Sequence, residues 1–414
     1  MKNLSIYIHI PFCVRKCHYC DFLSFPVSDD TFAQMCGNAW GDTPQKAMES
    51  YVNQLQKEIE TAAAQYNEYR ALSIFWGGGT PSLLPEKEVR RIMETIRERY
   101  RIAEDAEITI EMNPDTATED KLREYITAGI NRISIGLQSA DDEELARIGR
   151  IHDYKSFEKV YELSRKAGFR NINIDLMAAL PNQSVASYER TLKKVTALAP
   201  EHISAYSLTL EEETPLYEQR ARYRFPTEDE DREMYALTGE YLASCGYHRY
   251  EISNYALEGF ECRHNKVYWQ RGNYVGFGLG ASSMIENVRW TNPTDMEQYR
   301  NYAEKLSVNS GITEGNAACV HAEAENAPNR QVLTMQEQIE EYMFLGLRMM
   351  SGVGEREFED KFGTQIKLVY GDMVDKLCAQ GLLARERGRI RLTERGIDVS
   401  NYVMAQFLFD VIDG

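Results

Sequence analysis

The sequence lacks any apolar run near the roughly 18 residues of a membrane-spanning helix, and its opening residues MKNLSIYIHIPFC lack the regions of a secretory signal. Both absences set the expectation of a cytoplasmic protein with no transmembrane segment, leaving room for peripheral membrane contact. Positive charge is also short, with 47 Lys and Arg against 64 Asp and Glu and a formal net charge of −17. Such a field repels phosphate backbones, so nucleic acid is not an expected partner. Cysteine is too scarce for a disulfide framework: there are eight in 414 residues, unevenly placed, and Cys13, Cys17 and Cys20 fall close together. That cluster asks for a metal or redox explanation. The rest of the composition, 43% hydrophobic, is that of a globular chain long enough for two or three domains.

From Leu4 to about Leu208, short β-rich runs alternate with longer amphipathic stretches, which predicts an α/β fold of βα units around a parallel sheet. Six strands are expected at Ser5–His9, Leu72–Trp76, Glu107–Glu111, Arg132–Leu137, Asn171–Leu176 and His202–Ser207. Helical patterns lie between them, among others at Lys87–Tyr100, Glu119–Ala128 and Tyr154–Ala167. Four of the β-rich runs end in polar or glycine residues, where parallel α/β folds place their ligand loops. Val27–Pro44 has no clear period and reads as a loop insertion carrying an unliganded Cys36, ahead of a helix over Gln45–Tyr66.

Residues 226–306 are unusually aromatic, and Gly276, Gly278 and Gly280 end apolar runs there, which suggests tight packing or close ligand approach. Residues 307–330 are polar, without caps or alternation, and read as a linker. Residues 331–414 show helical patterns at Gln336–Met349, Glu355–Phe362 and Lys367–Gln380, then a hairpin over Leu382–Leu392 turning near Arg387 and Gly388, then a last helix. That order predicts a helical, winged-helix-like domain. Its hairpin gathers Arg385, Arg387, Arg389 and Arg391, but an acidic chain without a base-reading helix favours packing or partner docking over DNA.

The segment from Tyr7 through Cys13, Cys17, Tyr19 and Cys20 puts three thiolates on one loop after the first expected strand. Three soft ligands suit an iron–sulfur cluster, and three cysteines on four irons leave one iron open to a substrate or cofactor. No fourth cysteine follows at Phe22. Zinc with His18 as fourth ligand, or three unrelated thiols, are weaker readings, because tetrahedral zinc usually draws on two separated knuckles.

Cys-x-x-x-Cys-x-x-Cys with an aromatic before the last cysteine resembles the radical S-adenosylmethionine (SAM) superfamily. The longer string resembles the branch that holds oxygen-independent coproporphyrinogen III oxidase (HemN) and the haem chaperones of the HemW type, and this resemblance runs from Tyr7 to the C-terminus. It implies a partial (β/α)6 barrel over residues 1–225 and a 4Fe-4S cluster on Cys13, Cys17 and Cys20. The open iron would bind the amino and carboxylate groups of SAM, and an electron from the cluster would cleave it to a 5′-deoxyadenosyl radical.

The run Trp76-Gly77-Gly78-Gly79-Thr80-Pro81-Ser82 lets backbone approach a small polar ligand, although in isolation it would read as a turn. In the family context Gly78, Gly79 and Thr80 resemble the motif that binds the SAM amine. Glu111 ends a strand, where it could meet ribose hydroxyls or the sulfonium, or simply face solvent. The resemblance assigns SAM contacts to Tyr7, Tyr19, Gln138, Arg150 and Asp175 as well. In HemN the last three resemble ligands of a second SAM; alternatively Arg150 and Asp175 pair across the mouth of the sheet.

Cys262, Arg263, His264, Asn265, Tyr268 and Trp269 bring a thiolate, an imidazole and a phenolate beside aromatic surface, groups that ligate haem iron or stack on a porphyrin. Such aromatics otherwise form ordinary core. His264-Asn265-x-x-Tyr268-Trp269 is similar to the HemW signature. Phe22 points the same way, because the enzymatic branch carries a further cysteine there. Ser282 departs from the pattern, since many relatives carry His at that place. The expected function is a haem chaperone that transfers haem to acceptor proteins, with His264 as preferred iron ligand beside Tyr268 and Trp269. The alternatives are coproporphyrinogen III oxidative decarboxylation and a radical SAM enzyme of another substrate. Expected partners are haem or another tetrapyrrole and haem-acceptor proteins, with a homodimer left open.

Overall fold

The computed structural model describes residues 1–27, 40, 43–309, 327 and 329–409. Most of the expected insertion, Cys36 included, and most of the expected linker lie outside the described residues. Six strands, β1 (Lys2–Ile10), β2 (Tyr69–Gly78), β3 (Ile102–Met112), β4 (Arg132–Gln138), β5 (Ile172–Ala178) and β6 (His202–Ser207), pair in parallel in chain order. Each overlaps an expected strand. Helices cover the outside and begin where the sequence supplies caps: the side chains of Thr43, Thr118, Asp153 and Ser184 each accept a first-turn backbone N–H.

Buried parallel strands usually read as continuous apolar runs. These alternate instead. Leu4, Ile6, Ile8, Ile74, Ile108, Ile110, Ile133, Ile135, Ile172, Ile174 and Ile203 belong to the main hydrophobic core. The residues between them, including Ser5, Tyr7, Ser73, Glu107, Glu111, Arg132, Ser134, Asn173, Asp175, His202 and Ser204, are polar. With period two, one face of every strand packs under helices and the other lines a polar barrel interior.

The aromatic region joins this same sheet. Beyond β6 lie β7 (His248–Glu251) and β8 (Asn254–Ala256), with β8 antiparallel between β6 and β7. A strand outside the six-strand expectation, β9 (Tyr274–Phe277), pairs in parallel with β1 on the side away from β2. It leads through antiparallel β10 (Ser282–Ile285) and β11 (Val288–Thr291) to β12 (Gln331–Val332), completing a twelve-stranded sheet. The expected tight packing is present: a Cβ on Gly278 would come within 2.7 Å of the His9 carbonyl oxygen.

The C-terminal part has its own core, built from the helices Met335–Gly346, Glu355–Phe362 and Ile366–Ala379 and the hairpin β14–β15 (Leu383–Glu386 and Arg389–Leu392), flanked by the short β13 (Val353–Gly354). The hairpin turns at Arg387 and Gly388, both at positive φ as a two-residue hairpin turn requires. Arg385, Arg389 and Arg391 pair with Glu355, Glu357 and Glu386, so three of the four hairpin arginines already face carboxylates. The domain docks on the barrel through Met350 N–H to Tyr250 O at 3.0 Å and through Glu341, which meets Arg271 and Arg289 at 2.8 Å each. Among the described residues no helix is long and apolar enough to cross a membrane.

Candidate functional site

The cysteine loop leaves the C-terminal end of β1. Phe12–Cys13 forms a two-residue strand paired in parallel with Phe25–Pro26, which fixes where the loop leaves and returns. Its middle is pinned by His18 N–H to Ile148 O at 3.0 Å and by Leu216 N–H to His18 O at 2.8 Å. The His18 ring packs on Gly149, where a Cβ would come within 2.7 Å of it, and it does not line the cavity described below. A zinc reading therefore loses its fourth ligand. Among the described residues no three His, Cys, Asp or Glu side chains converge on one ion position. A four-iron cluster asks for something else, one thiolate per iron.

All three cysteines line one cavity of about 500 Å³ at the barrel mouth, together with Tyr19, Gly78, Gly79, Thr80, Glu111, Gln138, Arg150 and Asp175. Burial pushes the Cys20 thiol up to about 11. Thr80 Oγ1 lies 3.5 Å from Cys13 Sγ, and Arg150 Nη1 lies 3.6 Å from Cys17 Sγ. The glycine run is tied to the cysteine loop: Gly79 N–H donates to Ile10 O at 2.8 Å and Thr80 N–H to Phe12 O at 2.7 Å. Side chains are excluded there, since a Cβ on Gly78 (φ +109°) would meet the His9 ring at 2.5 Å and one on Gly79 the Phe12 carbonyl oxygen at 2.7 Å.

Glu111 faces the cavity and not bulk solvent. Burial, then the neighbouring Asp175, pushes its carboxyl up to about 8. Asp175 is raised by burial too, and accepts hydrogen bonds from Asn173 Nδ2 at 2.7 Å and Ser134 Oγ at 3.1 Å. Arg150 donates to the Gly136 carbonyl oxygen and to Asn113 Oδ1, so it does not pair with Asp175. Gln138 ends β4 in the left-handed region (φ 74°), a conformation a non-glycine residue adopts at a cost, and accepts from Tyr206 Oη at 3.3 Å. Tyr7 stands one level deeper, its hydroxyl 3.1 Å from His9 Nδ1.

Tyr7 lines a second, inner chamber of about 200 Å³ that shares Glu111, Ser134, Asp175, Ser204 and Asn265 with the mouth cavity. Its base is closed by the helix α1 (Arg263–Trp269), the segment expected to hold haem. Glu107 receives that helix's free end, accepting Arg263 N–H and His264 N–H at 3.1 Å each and the Cys262 thiol at 3.5 Å. His264 is 1% exposed. Its Nδ1 lies 2.9 Å from Ser73 Oγ and its Nε2 2.9 Å from Tyr268 Oη, while the ring stacks on Phe75 at 5.1 Å. Burial, then Arg132, lowers its pKa to about 3. His264 and Tyr268 thus share one face, as their spacing of four implies, but that face points into the barrel. Trp269 lines neither space and lies under the Arg348 guanidinium, 4.2 Å from its ring centroid. Ser282 is exposed and bonds Thr291 across the strands.

Glu107, Arg132, Asn173 and His202, all buried in the barrel interior, escaped the sequence reading. The signal that could have found them is the polar alternation of the strands themselves.

A parallel barrel whose mouth carries Cys-x-x-x-Cys-x-x-Cys against a glycine run defines a radical SAM protein. The radical SAM superfamily model matches residues 7–195, and the HemN C-terminal domain model matches 333–399. The chain is 33% identical over 409 residues to the "Heme chaperone HemW" of Bacillus subtilis, covering 98% of this chain and 99% of that protein. It is 38% identical over 285 residues to that of Escherichia coli, covering 69% and 71%. The solved coproporphyrinogen III oxidase HemN of Escherichia coli matches with TM-score 0.80 at 22% identity, over 99% of this chain and 91% of that one, a likeness of fold. The chain belongs to the HemW family.

Proposed function

We propose that this protein is a haem chaperone that binds haem and passes it to acceptor proteins, and that it carries a SAM-binding 4Fe-4S cluster at the barrel mouth. The observation that carries the reading is similarity to HemW across both the barrel and the C-terminal domain. Phe22 agrees with it: the side chain is 64% exposed at the cavity rim, where the enzymatic branch has a cysteine.

The donor set fits the cluster. Cys13, Cys17 and Cys20 would hold it, and among the described residues no imidazole lines the cavity to favour a mononuclear metal. When bound and reduced, the cluster supplies the electron for reductive cleavage of SAM. The chain's own residues do the positioning. Gly78, Gly79 and Thr80 would meet the SAM amine with backbone groups and one hydroxyl. Glu111 would face the ribose or the sulfonium, and Gln138, Arg150 and Asp175 the remaining polar edge. Tyr19 and Tyr206 shield that edge from water, while Tyr7 supports His9 and the glycine run from below.

His264, Tyr268 and Trp269 fit iron less well in this conformation. Both His264 nitrogens are engaged, and about 200 Å³ is below the roughly 300–1,000 Å³ of sites for larger ligands. We assign His264 and Tyr268 to closing the barrel base, and Trp269 to packing under Arg348. Work in the cytoplasm suits the uncrosslinked thiols.

The test is anaerobic reconstitution followed by haem titration and a coproporphyrinogen III decarboxylation assay in parallel. Haem binding without CO2 release is expected. Robust SAM-dependent CO2 release with protoporphyrinogen formation would favour the oxidase instead.

A further inference from the structure

The inner chamber contains a cation that the mechanism above does not use. Arg132, the first residue of β4, is 2% exposed, and its guanidinium lines the chamber. Among the described residues its Nε has no hydrogen-bond partner, and no ion pair or hydrogen bond joins its guanidinium to any side chain. A buried charge ordinarily has such a partner, because desolvation is costly.

The two carboxylates whose charges act on it are committed elsewhere. Glu107 is occupied by two backbone N–H groups of α1 and the Cys262 thiol, and Asp175 by Asn173 and Ser134. Thr109, the register partner of Arg132 on β3, likewise has a buried hydroxyl without a protein partner. The chamber therefore offers a planar, five-donor cation, and it shares Glu111, Ser134, Asp175, Ser204 and Asn265 as walls with the mouth cavity.

We propose that Arg132 is the anchor of a carboxylate-binding subsite at the floor of the barrel. A guanidinium fork matches a carboxylate with two parallel hydrogen bonds, and a chamber of about 200 Å³ has room for that group but not for a macrocycle. The carboxylate has two sources to distinguish: a propionate arm of a bound tetrapyrrole, or a small free carboxylate. The first source rests on the haem reading; the second does not.

The test uses the full chain with its cluster. Wild type, Arg132→Gln and Arg132→Lys are titrated with ferric haem and with haem dimethyl ester, and separately with acetate by calorimetry, with cluster content and thermal unfolding recorded for each. If a propionate is the ligand, esterification weakens haem binding to wild type on the order of tenfold, the scale of a lost charge-assisted pair, and Arg132→Gln adds no further loss with the ester. If the carboxylate is free, acetate binds wild type and Arg132→Gln abolishes that binding, even if haem fails to bind at all. Equal binding of haem and its ester together with no acetate binding overturns the subsite. Should Arg132→Gln fail to fold, the wild-type comparisons and Arg132→Lys decide the matter.

Discussion

The mouth and the base of the barrel carry the two sequence signatures that attract attention, and their polar groups are used differently. At the mouth, Cys13, Cys17 and Cys20 form no disulfide and line a cavity large enough for a cofactor, and the Glu111 carboxyl faces the same space. At the base, Glu107 takes three donors, and His264 spends one ring nitrogen on Ser73 and the other on Tyr268. A motif marks a ligand site when its donors are left free by the fold. The same residue types serve packing when they satisfy one another.

Substitutions can break this contrast. The largest effect is expected at the mouth: replacing Cys13, Cys17 or Cys20 with Ser should abolish the cluster, while Cys245→Ser and Cys378→Ser should leave it. Iron and sulfide content with cluster absorbance measure this, and a cluster that survives Cys17→Ser contradicts the ligand set. Next comes the base, where Glu107→Gln should lower stability by about 2–4 kcal/mol, because it unpairs buried donors. Denaturant unfolding measures that loss, and cluster content should hold.

A smaller, pH-dependent effect is expected at Glu111. Its folded pKa is raised to about 8 above the ordinary carboxyl value. The folded state therefore holds an extra proton between the two values, and stability is lost as pH rises through that window. Thermal unfolding of wild type from pH 5 to 8 should decline more than that of Glu111→Gln. The substitution should also weaken SAM binding about tenfold, the size of a lost buried hydrogen bond, without removing iron. Unchanged SAM affinity would make the carboxylate a bystander.

Much of the fold was legible because its signals are local. Six strands and their helices follow from period and caps, and the winged-helix-like end follows from three helical patterns and the Arg387-Gly388 turn. Strand β9 was not legible: it is four residues long, contains Gly276, and finds its partner β1 more than two hundred residues away. The cysteine and glycine loops could be read because each motif is contiguous and follows a strand. Nothing in the sequence separates Arg132 and Glu107 from other polar strand residues, since only the arrangement of the strands into a partial barrel turns their face inward. The spacing of His264 and Tyr268 correctly implied a shared helix face, but spacing says nothing about whether that face meets solvent or a barrel interior.

The contrast between mouth and base is tested most directly by His264→Ala, read by haem titration at matched folded fraction and by thermal unfolding. An unmoved Soret band, intact cluster content and a lowered Tm are expected, because the substitution strands the Tyr268 hydroxyl, leaves Ser73 only its bond to Ser5, and opens a cavity beside Phe75. A shifted Soret band with an unchanged Tm would contradict that contrast and return His264 to the haem iron.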